Sequence, residues 1–124
     1  MTVKLPFSGP FTLVNGGIWP HLDVEGRWYR FRMVNASNLR PYTCELRDEG
    51  GALVHGAMHQ IGSDGGLLPA PARVDELTLN PGERADVLID FRAFRGTSLT
   101  LANTAAPPVP GPVTLNPDVM QFRV

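Results

Sequence analysis

Disulfide bonding within the chain is excluded, because its 124 residues include a single cysteine, Cys44. The redox compartment therefore cannot be inferred from cysteine pairing. No apolar run approaches the roughly 20 residues of a membrane-spanning helix. Lys4, near the N-terminus, is not followed by the apolar segment of a secretory signal. We assign no compartment, and we expect any export signal of a longer parent protein to lie outside this sequence.

The chain also lacks an excess of charge of either sign. Eleven lysines and arginines oppose twelve aspartates and glutamates, which gives a net charge of −1. This balance, without a clustered basic face, argues against nucleic-acid binding. Hydrophobic residues make up 43% of the sequence, enough to bury a core, so an intrinsically disordered chain is excluded. The length predicts one domain, spanning residues 1–124.

A sustained helical period is missing as well, and short alternating runs predict strands instead. Within one of these runs, Tyr29, Phe31 and Met33 lie on the same face of an extended strand. Strands are predicted at 11–14, 27–35, 42–47, 54–61, 77–79, 85–91, 99–101 and 120–124. About seven or eight strands at a spacing of roughly ten residues predict an all-β antiparallel sandwich or barrel.

The segments between these strands are rich in glycine and proline. Asn15-Gly16-Gly17 is a strong turn signal after the first strand. We interpret residues 62–69 as a loop, and residues 90–96 can hold one helical turn. The segment 105–117 contains prolines 107, 108, 110, 112 and 117, so it is predicted to be an extended surface loop.

The sequence contains the donor types of a blue-copper site, which uses two histidines, a thiolate and a methionine. These candidates are Cys44, His21, His55, His59 and Met58. Their order does not suit such a site, in which the cysteine lies late in the domain and a histidine and a methionine follow it closely. Cys44 also alternates with Tyr42 and Leu46, which predicts a small buried hydrophobe. His55 and His59, four residues apart on a strand, lie too far apart to share a metal easily.

Two short polar motifs are interpreted as turns and not as functional sites. Ser63-Asp64 lies in a Gly-rich stretch that fails the spacing of both a nucleophile elbow and a phosphate loop. We interpret it as a turn in which Asp64 binds backbone amides. Asn35-Ala36-Ser37 matches the N-glycosylation acceptor pattern, but Asn35 and Ser37 are better explained as turn residues that bond the local backbone.

Two ion pairs are also hypothesised. Arg40 is suggested to pair with Asp64. Arg84 and Asp86 share one face of the strand after the Pro81-Gly82 turn, and we expect them to pair with each other.

Segments along nearly the whole chain resemble, in order, the middle domain of a three-domain multicopper oxidase of the bacterial laccase and phenoxazinone synthase kind. They are 13–16 with 19–20, 29–32 with 35–37 and Arg40, 62–68, 81–91, 101–103, and 119–124. The resemblance implies a cupredoxin-like Greek-key β-sandwich or barrel. It also implies that the chain is a fragment of a larger enzyme.

In that family the first and third domains hold the copper ions, and the enzyme couples one-electron oxidation of a substrate to the reduction of dioxygen to water. This chain lacks the H-x-H and H-C-H motifs of the copper domains. The resemblance therefore implies a non-catalytic middle domain that binds no metal or cofactor and spaces the copper-bearing domains. Its implied partners are the first and third domains of the parent chain, and alone it is expected to associate with itself through the exposed former interfaces. Neither nucleic acid nor membrane is an expected partner.

The resemblance further implies that the middle domain walls the substrate cleft. By position, the candidate wall residues are Leu39, Pro41, Ala105, Ala106 and Pro107. Two alternatives stay open: a stand-alone β-sandwich interaction module without redox activity, and a small copper protein that uses Cys44, His55 and His59.

Overall fold

The computed structural model describes residues 9–106 and 118–124, and every regular element in these two ranges is a β-strand. The strands are β1 (Leu13–Val14), β2 (Gly17–Ile18), β3 (His21–Asp23), β4 (Trp28–Val34), β5 (Tyr42–Arg47), β6 (Met58–Ser63), β7 (Gly66–Val74), β8 (Glu76–Leu79), β9 (Arg84–Asp90), β10 (Ser98–Asn103) and β11 (Asp118–Arg123). The all-β prediction is confirmed. The described residues include no helix of the length and apolarity needed to cross a membrane.

The longer strands form two sheets that share one core. One sheet has five strands in the order β3-β11-β10-β5-β8, and the other has four in the order β4-β9-β6-β7. β3 pairs with β11 in parallel, and the other described strand pairs are antiparallel. β1 and β2 form a separate hairpin outside both sheets. Its turn confirms the Asn15-Gly16 signal, because both residues have positive φ (49° and 85°), as a two-residue hairpin turn requires.

Aromatic side chains join the two sheets at the centre of the core. Phe31 on β4 shares the predicted face with Tyr29 and Met33, and the fold turns this face inward. The centroid of the Phe31 ring lies 5.4 Å from that of Phe122 on β11. Phe91, which directly follows β9, lies 5.1 Å from the same Phe122 ring. Phe91 and Phe122 are almost completely buried, and burial of such a side chain contributes about 1.5–3 kcal/mol. The alternating pattern of the sequence therefore identified which residues of these strands share a face, and the fold shows that this face lies toward the core.

The segment 62–69 is not the loop that was predicted. Its residues end β6 and begin β7, the longest of the described strands. Pro69 and Pro71 interrupt the strand-like pattern and conceal β7 in the sequence. Proline cannot donate to a ladder, so within sheets it is confined to edge strands, strand starts and bulges. β7 is the edge of the four-stranded sheet, and Pro69 and Pro71 lie where its register with β6 shifts, between the pairs Gly62–Leu67 and Gln60–Ala72.

Smaller differences concern strand bounds and one turn. The strand predicted at 54–61 begins only at Met58. The predicted helical turn at 90–96 is wrong: the amide of Phe94 bonds the carbonyl of Phe91 at 3.0 Å, and the amide of Thr97 bonds that of Phe94 at 3.1 Å, giving consecutive tight turns. The predicted loop at 105–117 lies outside the described residues from position 107 onward.

Candidate functional site

Cys44 lies in the core and does not offer a thiolate to solvent. It is 3% exposed and sits opposite Leu77 across the β5–β8 ladder. Burial raises the pKa of the Cys44 thiol to about 11, so the neutral form dominates near pH 7. Because metals bind the thiolate, this position does not fit a blue-copper ligand. The prediction that Cys44 is a small buried hydrophobe is confirmed.

The candidate histidines do not contact Cys44: His55 and His59 contact other residues, and His21 is exposed on β3. Nδ1 of His55 lies 2.7 Å from a carboxylate oxygen of Asp75, whose other oxygen accepts the backbone amide of Gly56 at 2.8 Å. The contact with His55 is the main reason why the pKa of Asp75 lies below its usual value. The ring of His59 packs edge-to-face on Trp28 at 5.2 Å. Within residues 9–106 and 118–124, no three His, Cys, Asp or Glu side chains group closely enough to hold a metal ion.

Asp64 occupies the turn between β6 and β7, where its carboxylate contacts the neighbouring strand β9. Its Oδ1 accepts the backbone N–H of Arg84 at 3.1 Å and lies 2.6 Å from Nε of the same residue. Asp64 lies in a turn as predicted, but the backbone amide that it binds belongs to β9 and not to its own turn. The ion pair of Asp64 is therefore with Arg84 rather than with Arg40.

The predicted pair between Arg84 and Asp86 is also wrong. Asp86 accepts hydrogen bonds from Nε and Nη2 of Arg30, on the adjacent strand β4, at 2.9 and 2.5 Å. Arg30 is the diagonal neighbour of Asp86 across the β4–β9 ladder, which brings its guanidinium within reach, while Arg84 is already paired with Asp64. The hydrogen bonds from Arg30 hold the pKa of Asp86 below its usual value.

Asn35 organises the turn that follows β4. Its buried side-chain amide donates to the carbonyls of Arg40 and Leu79 at 2.8 and 2.9 Å. Its Oδ1 accepts the backbone amide and the hydroxyl of Ser37 at 3.0 and 2.7 Å. The predicted turn role of Asn35 and Ser37 is confirmed. These bonds fix the backbone of residues 35–40 against β8.

Asn103 holds the backbone of the segment that follows β10. Its Oδ1 accepts the backbone amides of Thr43 and Ala105 at 2.9 and 3.0 Å. The amide of Thr104 bonds the carbonyl of Thr43 at 2.9 Å, which extends the pairing of β10 with β5 by one step. Residues 103–106 therefore lie beside the start of β5. We call residues 35–42 and 103–106 together the loop end.

An open cleft of about 220 Å³ lies at the loop end. Its described lining consists of Gly9, Phe11, Ser37, Asn38, Leu39, Arg40 and Tyr42. Of the wall residues predicted from the sequence, Leu39 lines this cleft. Pro41, Ala105 and Ala106 lie at the same end without lining it, and Pro107 is outside the described residues.

Sequence reasoning missed the aromatic residues of the cleft. Phe11 precedes β1, and Tyr42 begins β5. The hydroxyl of Tyr42 lies 3.4 Å from that of buried Thr12, so the two chain segments are linked beside the cleft. In the sequence, the signal for these cleft residues was an aromatic residue next to a predicted turn. Only the fold shows that the two distant segments lie together.

Comparison with known proteins places the chain in a family. A laccase from Bacillus subtilis is 49% identical to it over 120 residues, which are 95% of this chain and 22% of the laccase. The structure of the McoA multicopper oxidase from Aquifex aeolicus superimposes with a TM-score of 0.82 at 38% identity, over 96% of this chain and 25% of that one. The chain is a multicopper oxidase domain. No known protein-family profile matches it.

This multicopper oxidase domain spans about a fifth of the length of the curated relatives it matches. The resemblance to a middle domain of these enzymes, and the cupredoxin-like fold it implied, are confirmed. The relatives do not all carry the name of an oxidase. The cell division protein FtsP of Pectobacterium atrosepticum is 43% identical over 99 residues, which cover 80% of this chain and 20% of that protein.

Proposed function

We propose that the chain is the non-catalytic middle domain of a copper-dependent oxidase, that residues 1–124 act as one unit, and that this unit spaces two copper-bearing domains. The observation that carries the proposal is the 49% identity to a laccase over 95% of the chain. The donor residues of the described part support it, since Cys44 is buried with a raised pKa and does not fit a copper ligand. The parent enzyme oxidises its substrate one electron at a time and reduces dioxygen to water.

We further propose that the loop end contributes one wall of the substrate cleft, through Leu39, Pro41, Ala105, Ala106 and Pro107. The side chains of Asn35 and Asn103 hold the two parts of the loop end in fixed positions. Such preorganisation suits a surface that must present a constant shape to a substrate. Leu39 already lines an open cleft there, beside Phe11 and Tyr42.

The oxidase assignment is tested with the parent polypeptide. Sequencing the gene on both sides of these codons should give H-x-H pairs upstream and an H-C-H motif downstream. The purified parent should then contain copper and consume dioxygen when a phenol is supplied. A stop codon directly after Val124 with no histidine-rich sequence upstream, or a parent that binds no copper, would remove the assignment.

The wall proposal is tested by enlarging a cleft residue in the parent enzyme. Leu39→Trp should raise KM several-fold for bulky phenols and change it less for small ones, because the indole fills part of the cleft. The optical spectrum of the copper should stay unchanged, since the chain supplies no ligand. Leu67→Trp, at the exposed start of β7, is the matched control and should change neither. Unaltered kinetics of Leu39→Trp across several phenols would contradict the wall role.

A second candidate is a role without redox chemistry, in a longer protein that resembles FtsP. The 43% identity to the Pectobacterium protein over 99 residues favours it. The match to the laccase is both longer and closer, so we rank the oxidase first. The copper content of the purified parent separates the two: several bound copper ions per chain support the oxidase, and none supports the second candidate.

A further inference from the structure

The β1–β2 hairpin exposes an unusual amount of apolar surface. Phe11, Leu13, Ile18 and Trp19 are each between 46% and 60% exposed. The rings of Phe11 and Trp19 pack edge-to-face with centroids 5.6 Å apart, and Leu13 lies directly opposite Ile18 in the β1–β2 ladder. We call these four residues the hairpin patch. Contiguous exposed apolar residues of this kind mark interaction surfaces in soluble proteins.

The surroundings of the hairpin patch distinguish it from the rest of the surface. The segment 9–20 contains no charged residue. The outer face of the β4–β9 pair, by contrast, carries Arg30, Asp86 and Arg92 in ion pairs. Depletion of charge together with enrichment in aromatic residues is the compositional mark of an interface core.

The hairpin lies outside both sheets and is held to the domain by Val14, which packs against the core, and by buried Thr12, whose hydroxyl lies 3.4 Å from that of Tyr42. A lone two-stranded hairpin is marginally stable in water. The base of the hairpin is fastened, since the carbonyl of Pro20 accepts the amide of Gln121 at 3.0 Å. Trp19 nevertheless has a φ of 43°, a strained backbone conformation that is rare for a bulky residue. The strain at Trp19 is offset if another surface packs on the exposed indole, because burial of the indole is favourable.

We infer that the hairpin patch is the docking surface for an apolar face of the remaining polypeptide of the parent protein. This inference rests on the proposed function, in which the chain is one domain of a larger enzyme. The polypeptide that would dock on the patch is indicated by the relatives, because about four fifths of the Bacillus laccase lies outside the region that matches this chain. An uncharged, aromatic patch fits a permanent contact within one polypeptide, where no charged group needs to be desolvated.

Hydroxyl-radical footprinting with mass spectrometry tests the inference, because the chain offers matched internal controls. Leu13 is 60% exposed and Leu67 is 75% exposed, while Trp19 and Trp28 are 46% and 40% exposed. In the isolated chain at low concentration, the members of each pair should react at similar rates. In the parent protein, Leu13 and Trp19 should react several-fold more slowly, with Leu67 unchanged.

Every other outcome overturns the inference. Equal reactivity in the parent and the isolated chain would mean that nothing docks on the patch. If Leu13 and Trp19 are already protected in the dilute isolated chain, the patch is covered by residues of this chain outside the described ranges. If their protection grows with protein concentration, the patch is covered by a second copy of the chain.

A charge introduced into the patch provides an independent measurement. Ile18→Asp should lower the thermal midpoint of the parent by several degrees and leave that of the isolated chain nearly unchanged, because the side chain is buried only in the parent. Leu67→Asp is the control and should alter neither. If Ile18→Asp has no effect on the parent, the inference is wrong. A parent that contains copper but leaves the patch reactive refutes the docking surface alone, whereas a protected patch in a copper-free parent refutes the oxidase assignment alone.

Discussion

Replacing Asn35 by alanine should strongly destabilise the fold, because the side chain is buried and makes four hydrogen bonds. Each such bond contributes a net of about 1 kcal/mol, and a buried group left without its partner costs about 1–3 kcal/mol. The carbonyl of Arg40 keeps a second donor, the hydroxyl of Ser37 at 2.7 Å. The carbonyl of Leu79 loses the Asn35 donor. We therefore expect a loss of about 2–4 kcal/mol in the free energy of unfolding.

Urea denaturation of the 124-residue chain measures this loss. With a slope of about 1.5 kcal/mol per M, the urea midpoint of Asn35→Ala should fall by roughly 1.3–2.7 M at unchanged slope. Asn38→Ala is the matched control, because Asn38 is an exposed asparagine of the same turn and its loss should cost under about 0.5 kcal/mol. A midpoint for Asn35→Ala equal to that of the wild type would refute the reasoning, and so would an equal loss in the control.

Other perturbations follow from charge, burial and backbone conformation. The Cys44 thiol should not react with a disulfide reagent in the native chain at pH 8 and should react at once in urea; rapid native reaction would contradict its burial. Because the pKa of Asp86 is lower in the folded state, the unfolded state binds more protons between the two pKa values. This stabilisation is complete above about pH 4, the unfolded value, and disappears as the pH falls through the folded value. Arg30→Gln should therefore flatten the acid end of a plot of urea midpoint against pH, and an unchanged profile would refute the pairing. Gly51→Ala should cost more stability than Gly65→Ala, by comparison of urea midpoints, because a Cβ has open space at both positions but only Gly51 has a positive φ (81°), which strains an alanine. Equal losses would contradict the role of the backbone conformation at Gly51.

The sequence was a good guide wherever one strand face is buried. The alternation in the segment 27–35 grouped Phe31 with Tyr29 and Met33 on one face, and in the fold that face packs against the core. The same logic correctly buried Cys44. It failed for β7, where Pro69 and Pro71 read as loop residues. Whether proline is tolerated depends on the strand being at an edge, and that is a property of the whole sheet.

Ion pairs and the candidate site were less predictable, because both depend on which strands become neighbours. Asp86 pairs with an arginine 56 positions away, and nothing along the chain identifies that partner. The cleft at the loop end likewise combines Phe11 with Leu39 and Tyr42, which only the folded chain brings together. The sequence could locate Leu39 through a family resemblance, but it could not provide the aromatic residues around it.

The place of β11 within its sheet has a consequence for the order in which the chain can fold during synthesis. β4, β6, β7 and β9 all lie between residues 28 and 90, so the four-stranded sheet is complete before the last strand has been translated. β11 is inserted between β3 and β10, and it also supplies Phe122 to the core. Until then β3 has no neighbour and one edge of β10 is open, and open strand edges invite aggregation. A nascent chain that stalls before residue 118 would therefore depend on a chaperone, whereas a few further residues would allow the sheet to close.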